Sequence, residues 1–216
     1  MSTATLDKSD TRAASFVRGR LGSLLAVAPL GVWTVIHLWN NLAVFKGGEA
    51  WEQAVTHHVH PLAQFITALV VMVPLLIHAV WGMTRIKSAQ PNPNYTYFAN
   101  LKYVLQRLSA IGLLLFLGAH LWKAMLEPRL LKGHAEAFTD ISQMMHHHMP
   151  TLAVYVLGTL GVSYHLANGL ATFAMGFGIV SSRRGLRRVE TLSYVLFAVF
   201  LLMSWSAIYG LYVAGA

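Results

Sequence analysis

The sequence predicts an all-α polytopic membrane protein of five transmembrane helices, and three observations carry that prediction. The first is composition: 56% of the 216 residues are hydrophobic and only 11% are charged, against about 45–50% and roughly 25% in a typical soluble domain. So few charges cannot cover a soluble surface, and the balance is the reverse of that in a disordered chain. The second is spacing: the stretches 21–45, 53–84, 108–122, 141–182 and 191–216 contain no Asp, Glu, Lys or Arg. The third is charge placement. With the N-terminus cytoplasmic, the inner segments hold Lys8, Arg12, Arg18, Arg20, Arg85, Lys87, Lys102, Arg107, Arg183, Arg184, Arg187 and Arg188, whereas the outer loops keep only Lys46, Lys123, Arg129 and Lys132. This positive-inside bias sets the orientation and accounts for the net charge of +8 without a nucleic-acid partner.

A hydrocarbon core is crossed by about 20 apolar residues, which gives the elements in order. A polar cytoplasmic tail, 1–20, leads into helix one at 21–45, whose apolar run is too long for a cleavable signal. The outer loop 46–59 carries Glu49, Glu52, His57 and His58, and His60 follows it. Helix two, 60–84, contains Pro74, which frees the carbonyl of Val70 and bends the helix. An inner connection, 85–102, is broken by Pro91-Asn92-Pro93-Asn94. Helix three, 103–126, has a charge-free centre of only 15 residues, about 22 Å; it spans if Arg107 and Lys123 snorkel to the two interfaces. The outer loop 127–149 ends in His146-His147-His148, and Pro150 suits the first turn of helix four at 150–178. Arg183-Arg184-Gly185 closes the inner side before helix five at 190–214. Residues 21–216 thus form a single domain. The absence of cysteine excludes disulfides, thiolate-held iron–sulfur clusters, c-type haem attachment and a cysteine nucleophile.

Chemistry must come from polar groups inside the membrane, where ionisable side chains are functional candidates by default. Of 11 histidines, seven fall in the outer loops. The others, His37, His78, His120 and His165, lie one in each of helices one to four. At about 1.5 Å per residue, His37 and His120 sit roughly 12 and 5 Å below the outer boundary. His78 and His165 sit about 20 Å down or slightly more in a core of roughly 30 Å. The four therefore sort by depth into an outer pair, His37 with His120, and an inner pair, His78 with His165. Two bis-imidazole sites suggest two stacked haems, since neutral imidazole is an axial ligand for haem iron, and the first four helices would bundle around them. Gly82, Gly161 and Gly169 lie four residues from His78 or His165 on the same faces, where a flat ring could approach the backbone; small residues also pack membrane helices without any ligand. Zinc or copper is the competing occupant, but the depth gap leaves each such ion under-coordinated.

Four segments carry a family resemblance: Trp33-Thr34-Val35-Ile36-His37-Leu38, Leu76-Ile77-His78-Ala79, Gly118-Ala119-His120-Leu121-Trp122 and Ser163-Tyr164-His165-Leu166-Ala167-Asn168-Gly169. With the length and five spans, the chain resembles the di-haem cytochrome b membrane anchor of succinate dehydrogenase and fumarate reductase, in its single five-helix form. The resemblance implies a bacterial cytoplasmic membrane protein with a proximal haem b on His78 and His165 and a distal one on His37 and His120. It further implies a flavoprotein and an iron–sulfur subunit on the cytoplasmic side, a quinone substrate (menaquinone or ubiquinone), and an oligomer of the whole complex as an option. Some fumarate-reducing members carry a proton-relaying glutamate two residues before the last ligand; here that position is Ser163.

The remaining candidates rest on position. Arg107 and Lys123 could pair with haem propionates or simply snorkel. Glu52, His57, His58 and His60, with His146 to His148, lie near the predicted distal site and could exchange protons with a quinone; solvated loop histidines and adventitious copper or zinc binding are the alternatives. Trp33, Trp39, Trp81 and Trp122 could line the haem slots, the last three equally marking an interfacial belt. Two other functions compete. Di-haem subunits of nitrate reductase or hydrogenase type place two ligands on one helix, unlike this chain. A haem-free transporter usually needs an intramembrane carboxylate or broken helices, and no acid falls in the interior of any predicted span, Glu190 standing at the first position of helix five.

Overall fold

The computed structural model describes residues 19–57, 61–87 and 89–216, and they are almost wholly helical. Seven helices follow in order among them: α1 (Gly19–Lys46), α2 (Gly48–Val55), α3 (Pro61–Lys87), α4 (Phe98–Lys132), α5 (Phe138–His147), α6 (Met149–Gly176) and α7 (Arg183–Ala214). The predicted tail 1–20 falls outside the described residues except at Gly19 and Arg20. The end of the bundle bearing Arg85, Lys87, Arg183 and Arg184 is called inner below.

Among the described residues four helices are long and apolar enough to cross a membrane: α1, α3 over Phe65–Lys87, α4 and α7. The expected fifth, α6, has 28 residues, about 42 Å, but Tyr155, Thr159, Ser163, Tyr164, His165 and Asn168 dilute its apolar surface. Its position explains the dilution. α6 packs on α4 along one side and α7 along the other, so less of it meets lipid. A stripe at i, i+4 spacing, Tyr155, Thr159, Ser163, Ala167 and Ala171, is buried, as helical periodicity requires.

Three features shape the long helices. Pro29 lacks the N–H that would bond the carbonyl of Leu25, and α1 widens into a π-type turn over Ala26–Gly31. Pro91-Asn92-Pro93-Asn94 is non-helical, as expected. α4 continues past Leu121 through wide turns at Trp122–Leu126 and Pro128–Lys132. It stops at Gly133, whose φ of 76° is left-handed and costs glycine little. The charge-free centre of this helix therefore understates its length.

The structure corrects two expectations at the helix ends. The outer loops 46–59 and 127–149 are not loops throughout, because each contains a short amphipathic helix, α2 and α5. These helices hold the most deeply buried large side chains: Trp51 is 2% exposed and Met145 0%. With Val44, Phe116, Ile141, Tyr155, Ile208 and Leu211 they form one apolar cluster at the outer end. Arg183-Arg184-Gly185 is likewise the first turn of α7, where the Ser182 hydroxyl accepts the Gly185 N–H at 3.1 Å. A smaller cluster of Leu38, Ala167 and Phe200 joins α1, α6 and α7 midway. At the inner end Lys102 of α4 pairs with Glu190 of α7, and Tyr194 donates to the same carboxylate at 3.2 Å.

Close approach of α4 and α6 depends on Gly158: a β-carbon there would lie 2.2 Å from Cδ2 of Phe116. Gly158→Ala is therefore expected to destabilise the bundle by about 1–3 kcal/mol through overpacking, read as a lower Tm of the detergent-solubilised protein. Gly161→Ala is the control; its β-carbon would meet only the Ser109 carbonyl, at 3.8 Å, and Tm should barely move.

Candidate functional site

The bundle brings the four intramembrane histidines together in the two pairs that depth predicts. The rings of His37 and His120 have centroids 5.9 Å apart at 67° to one another. Those of His78 and His165 are 6.3 Å apart at 71°. The two sites are far apart along the bundle. On α4, Ser109 touches the inner pair and His120 belongs to the outer one, eleven positions apart, roughly 16 Å. On α6, Tyr155 and His165 are ten positions apart, about 15 Å.

Each imidazole inside the bundle finds partners that orient it. His78 Nδ1 lies 3.1 Å from the Gly22 carbonyl of α1, a contact that needs the proton on Nδ1 and leaves Nε2 free. Gly22 admits this approach because Trp81 packs against its bare Cα, where a β-carbon would sit 2.5 Å from Cδ2. His165 Nδ1 lies 3.2 Å from the Gln106 side-chain amide nitrogen, which donates to it, and 3.3 Å from the Ser109 hydroxyl, which itself donates to the Gln106 carbonyl at 3.0 Å. Gln106 also donates to the His165 carbonyl at 3.2 Å and accepts from Asn168 at 2.7 Å. His120 Nδ1 meets the Tyr155 hydroxyl at 3.2 Å. His37 differs: Asn41 donates to its carbonyl at 2.8 Å and sits 3.3 Å from its Nε2. The shorter bond is to the carbonyl, so Asn41 keeps a partner if Nε2 is drawn to a metal.

Aromatic rings flank the pairs. Trp33 stacks on His37 at 4.7 Å and 10°, and Phe116 stacks on His120 at 5.5 Å and 21°. Trp81 tilts against His78 at 6.0 Å. Trp39 and Trp122 are instead exposed, at 69% and 46%, as interfacial residues would be. Gly82 opens onto free space, whereas Gly161 and Gly169 face α4 at ordinary contact distance and do not line a gap.

The arrangement fits a bis-imidazole metal group. The ring separations of 5.9 and 6.3 Å would let each pair share one ion at metal–nitrogen distances of about 2 Å. The Nδ1 atoms of His78 and His120 each meet an oxygen, the second-shell pattern of metal-binding histidine. Arg107 supplies a further mark: its Nη1 donates to the Tyr103 carbonyl at 3.1 Å, but its Nε is buried without a hydrogen-bond partner among the described residues. Among those residues no three of His, Asp or Glu gather into a metal cluster, so the sites are pairs.

Other sequence candidates land elsewhere. Lys123 pairs with Glu127 at 2.7 Å, one turn on. Ser163, fully buried, donates to the Thr159 carbonyl at 2.8 Å. Glu52 accepts the Phe138 N–H at 2.7 Å, capping α5 from 86 residues away. His57 is exposed; His58 and His60 lie outside the described residues. His146 Nδ1 meets the Tyr212 carbonyl at 2.9 Å, and His148 caps α6 through Thr151. Sequence reasoning missed Gln106, Ser109, Tyr155 and Phe116, all set by the α4–α6 register, and missed Glu136, buried at 8% exposure between α4 and α5.

The fold and site define a polytopic helical membrane protein with two stacked histidine pairs. No family model and no solved structure matches the chain. It is 31% identical over 189 residues, 86% of this chain and 90% of the other, to the succinate dehydrogenase cytochrome b558 subunit of Bacillus subtilis (strain 168). The chain belongs to that family, the cytochrome b membrane anchors of succinate dehydrogenase.

The Glu52 contact makes a structural prediction. Losing a cap of this kind costs about 1 kcal/mol, so Glu52→Ala should speed hydrogen exchange of the first amides of α5 roughly fivefold, and Glu52→Gln should preserve most of the protection.

Proposed function

We propose that this chain carries two b-type haems and passes electrons from an iron–sulfur subunit to a membrane quinone. The observation that supports this reading best is the pairing of His37 with His120 and of His78 with His165 at 5.9 and 6.3 Å, at two depths, each ring held by protein partners. Haem iron bound there would supply reversible one-electron transfer. The protein's part is positional. Gly22, Gln106 with Ser109, and Tyr155 hold His78, His165 and His120 in fixed orientations, which limits reorganisation when charge arrives. Trp33 and Phe116 cover the outer rings and exclude water from them. Arg107, whose buried Nε has no partner among the described residues, would receive a propionate of the inner group. Lys123 would serve the outer group only by leaving Glu127.

The orientation follows the arginine-rich end. Arg85, Lys87, Arg183 and Arg184 put the inner pair toward the cytoplasm, and there the flavoprotein and iron–sulfur subunits would dock. Electrons would then run from the His78/His165 site to the His37/His120 site. A quinone, menaquinone or ubiquinone, would take them near the outer face, where Glu52, His57, His58 and His60 remain candidates for its surroundings. Residues 21–216 act as one haem-binding domain with a cytoplasmic tail.

A reduced-minus-oxidised spectrum of the purified protein should report two low-spin b-type haems per chain. His78→Ala or His165→Ala should each remove one haem and leave the other. Retention of both haems in either variant would overturn the pairing.

A further inference from the structure

Glu136 is the most deeply buried carboxylate among the described residues, at 8% exposure. It lies in the short stretch after Gly133, between the outer end of α4 and the start of α5. None of the described residues donates a hydrogen bond to it. A carboxylate so largely withdrawn from water is costly in its charged form, and its neighbours offset that cost only in part. Asp140 of α5 repels it, while Arg129 and Lys132 of α4 attract it. Lys132 is already paired with Asp140 at 2.6 Å, and Arg129 directs Nη1 to the carbonyls of Ala124 and Met125 at 3.5 and 3.2 Å. Glu52 of α2 reaches the same segment but is committed to the Phe138 N–H; His134, on the same stretch, is exposed and bonded to the Ala135 carbonyl. Burial first, and the charge of Asp140 second, push the Glu136 carboxyl up to about 7.

Its remaining neighbour is Tyr155 of α6, close enough to feel its charge. The Tyr155 hydroxyl lies 3.2 Å from Nδ1 of His120, and His120 faces His37. A carboxyl near the outer surface is therefore coupled by charge, without a direct hydrogen bond, to the phenol that touches the outer histidine pair. The inner pair has no counterpart: its partners are the Gly22 carbonyl, Gln106 and Ser109, none of which titrates.

We infer that Glu136 is the proton-exchange group of the outer His37/His120 site, taking a proton from the outer aqueous phase when an electron arrives there and returning it when the electron leaves. The inference rests on the haem reading above. The step balances: the electron comes from succinate oxidation by way of the inner site, the proton from outer water, and the Glu136 carboxylate becomes a neutral carboxylic acid. Negative charge arriving at the pair raises the affinity of Glu136 for a proton, and protonation in turn makes the site easier to reduce. This reciprocity is a linkage requirement.

The test uses the whole complex in detergent and follows the midpoint potential of each haem with pH through neutrality. In the wild type the outer potential should fall as pH rises, while the inner one stays nearly flat. Glu136→Gln, neutral and of the same shape, should abolish the outer slope; Glu136→Asp should restore it with a displaced midpoint. Redox-difference infrared spectra should show a carboxylic acid C=O band on reduction in the wild type and none in Glu136→Gln. An outer slope unchanged in Glu136→Gln, or no such band in the wild type, would overturn the inference while leaving the two haems in place. A wild-type protein without haem at the outer pair would overturn the underlying reading as well.

Discussion

An imidazole in a hydrocarbon layer has no water to satisfy its ring N–H, so the protein must supply an acceptor. That requirement sets the alignment of the bundle. His78 can reach the Gly22 carbonyl at 3.1 Å only if the first turns of α1 lie against the last turns of α3, and the missing side chain at Gly22 lets Trp81 complete that contact. His165 reaches Ser109 and Gln106 only in one antiparallel register of α4 and α6. The same register places Tyr155 beside His120. One slip of a helical turn along either helix would leave two imidazoles unpaired at once, so polar satisfaction and helix packing specify the same arrangement.

The apolar contacts follow from this register. With α4 and α6 aligned by their polar groups, Phe116 falls opposite Gly158, where no larger residue fits. Its ring then stacks on His120 and meets Tyr155 edge-on at 5.5 Å. α7 closes the far side of α6 through Ser193, which donates to the Ala167 carbonyl at 3.0 Å, and Trp205, which donates to the Val156 carbonyl at 3.2 Å. The small amphipathic helices α2 and α5 then seal the outer end with Trp51 and Met145. Helices of eight and ten residues do not form alone in water, so their stability comes from this docking and from the Glu52 cap.

The spans and the histidine pairs could be read from the chain because both depend on position along single helices. Charge-free runs mark membrane segments, and distance from a charged boundary marks depth. The rest depends on relations between helices. Gln106 and Ser109 read as ordinary polar residues of α4 until α6 is set against them, and Tyr155 reads as an interfacial aromatic. α2 and α5 carry too few apolar positions, Trp51 with Val55 and Ile141 with Met145, to stand out from polar loops. Glu136 is not singled out by the sequence, because the turn at Gly133 and the packing of α5 that bury it leave no periodic trace there.

The two histidine sites differ in ways that suit them to different exchanges. The inner pair is held by a backbone carbonyl, an amide and a hydroxyl, groups that keep their protonation state over any ordinary pH. A redox centre held this way changes its electron count without moving protons, as an intermediate in a relay should. The outer pair is covered by Trp33 and Phe116 and roofed by α2 and α5, so bulk water does not set its proton balance; side chains must. Quinone reduction consumes protons together with electrons, and only a site with titratable neighbours can match the two. On the proposed reading the roof built by α2 and α5 would be part of the chemistry, since it would direct proton traffic at the outer site through the few ionisable groups it leaves in contact.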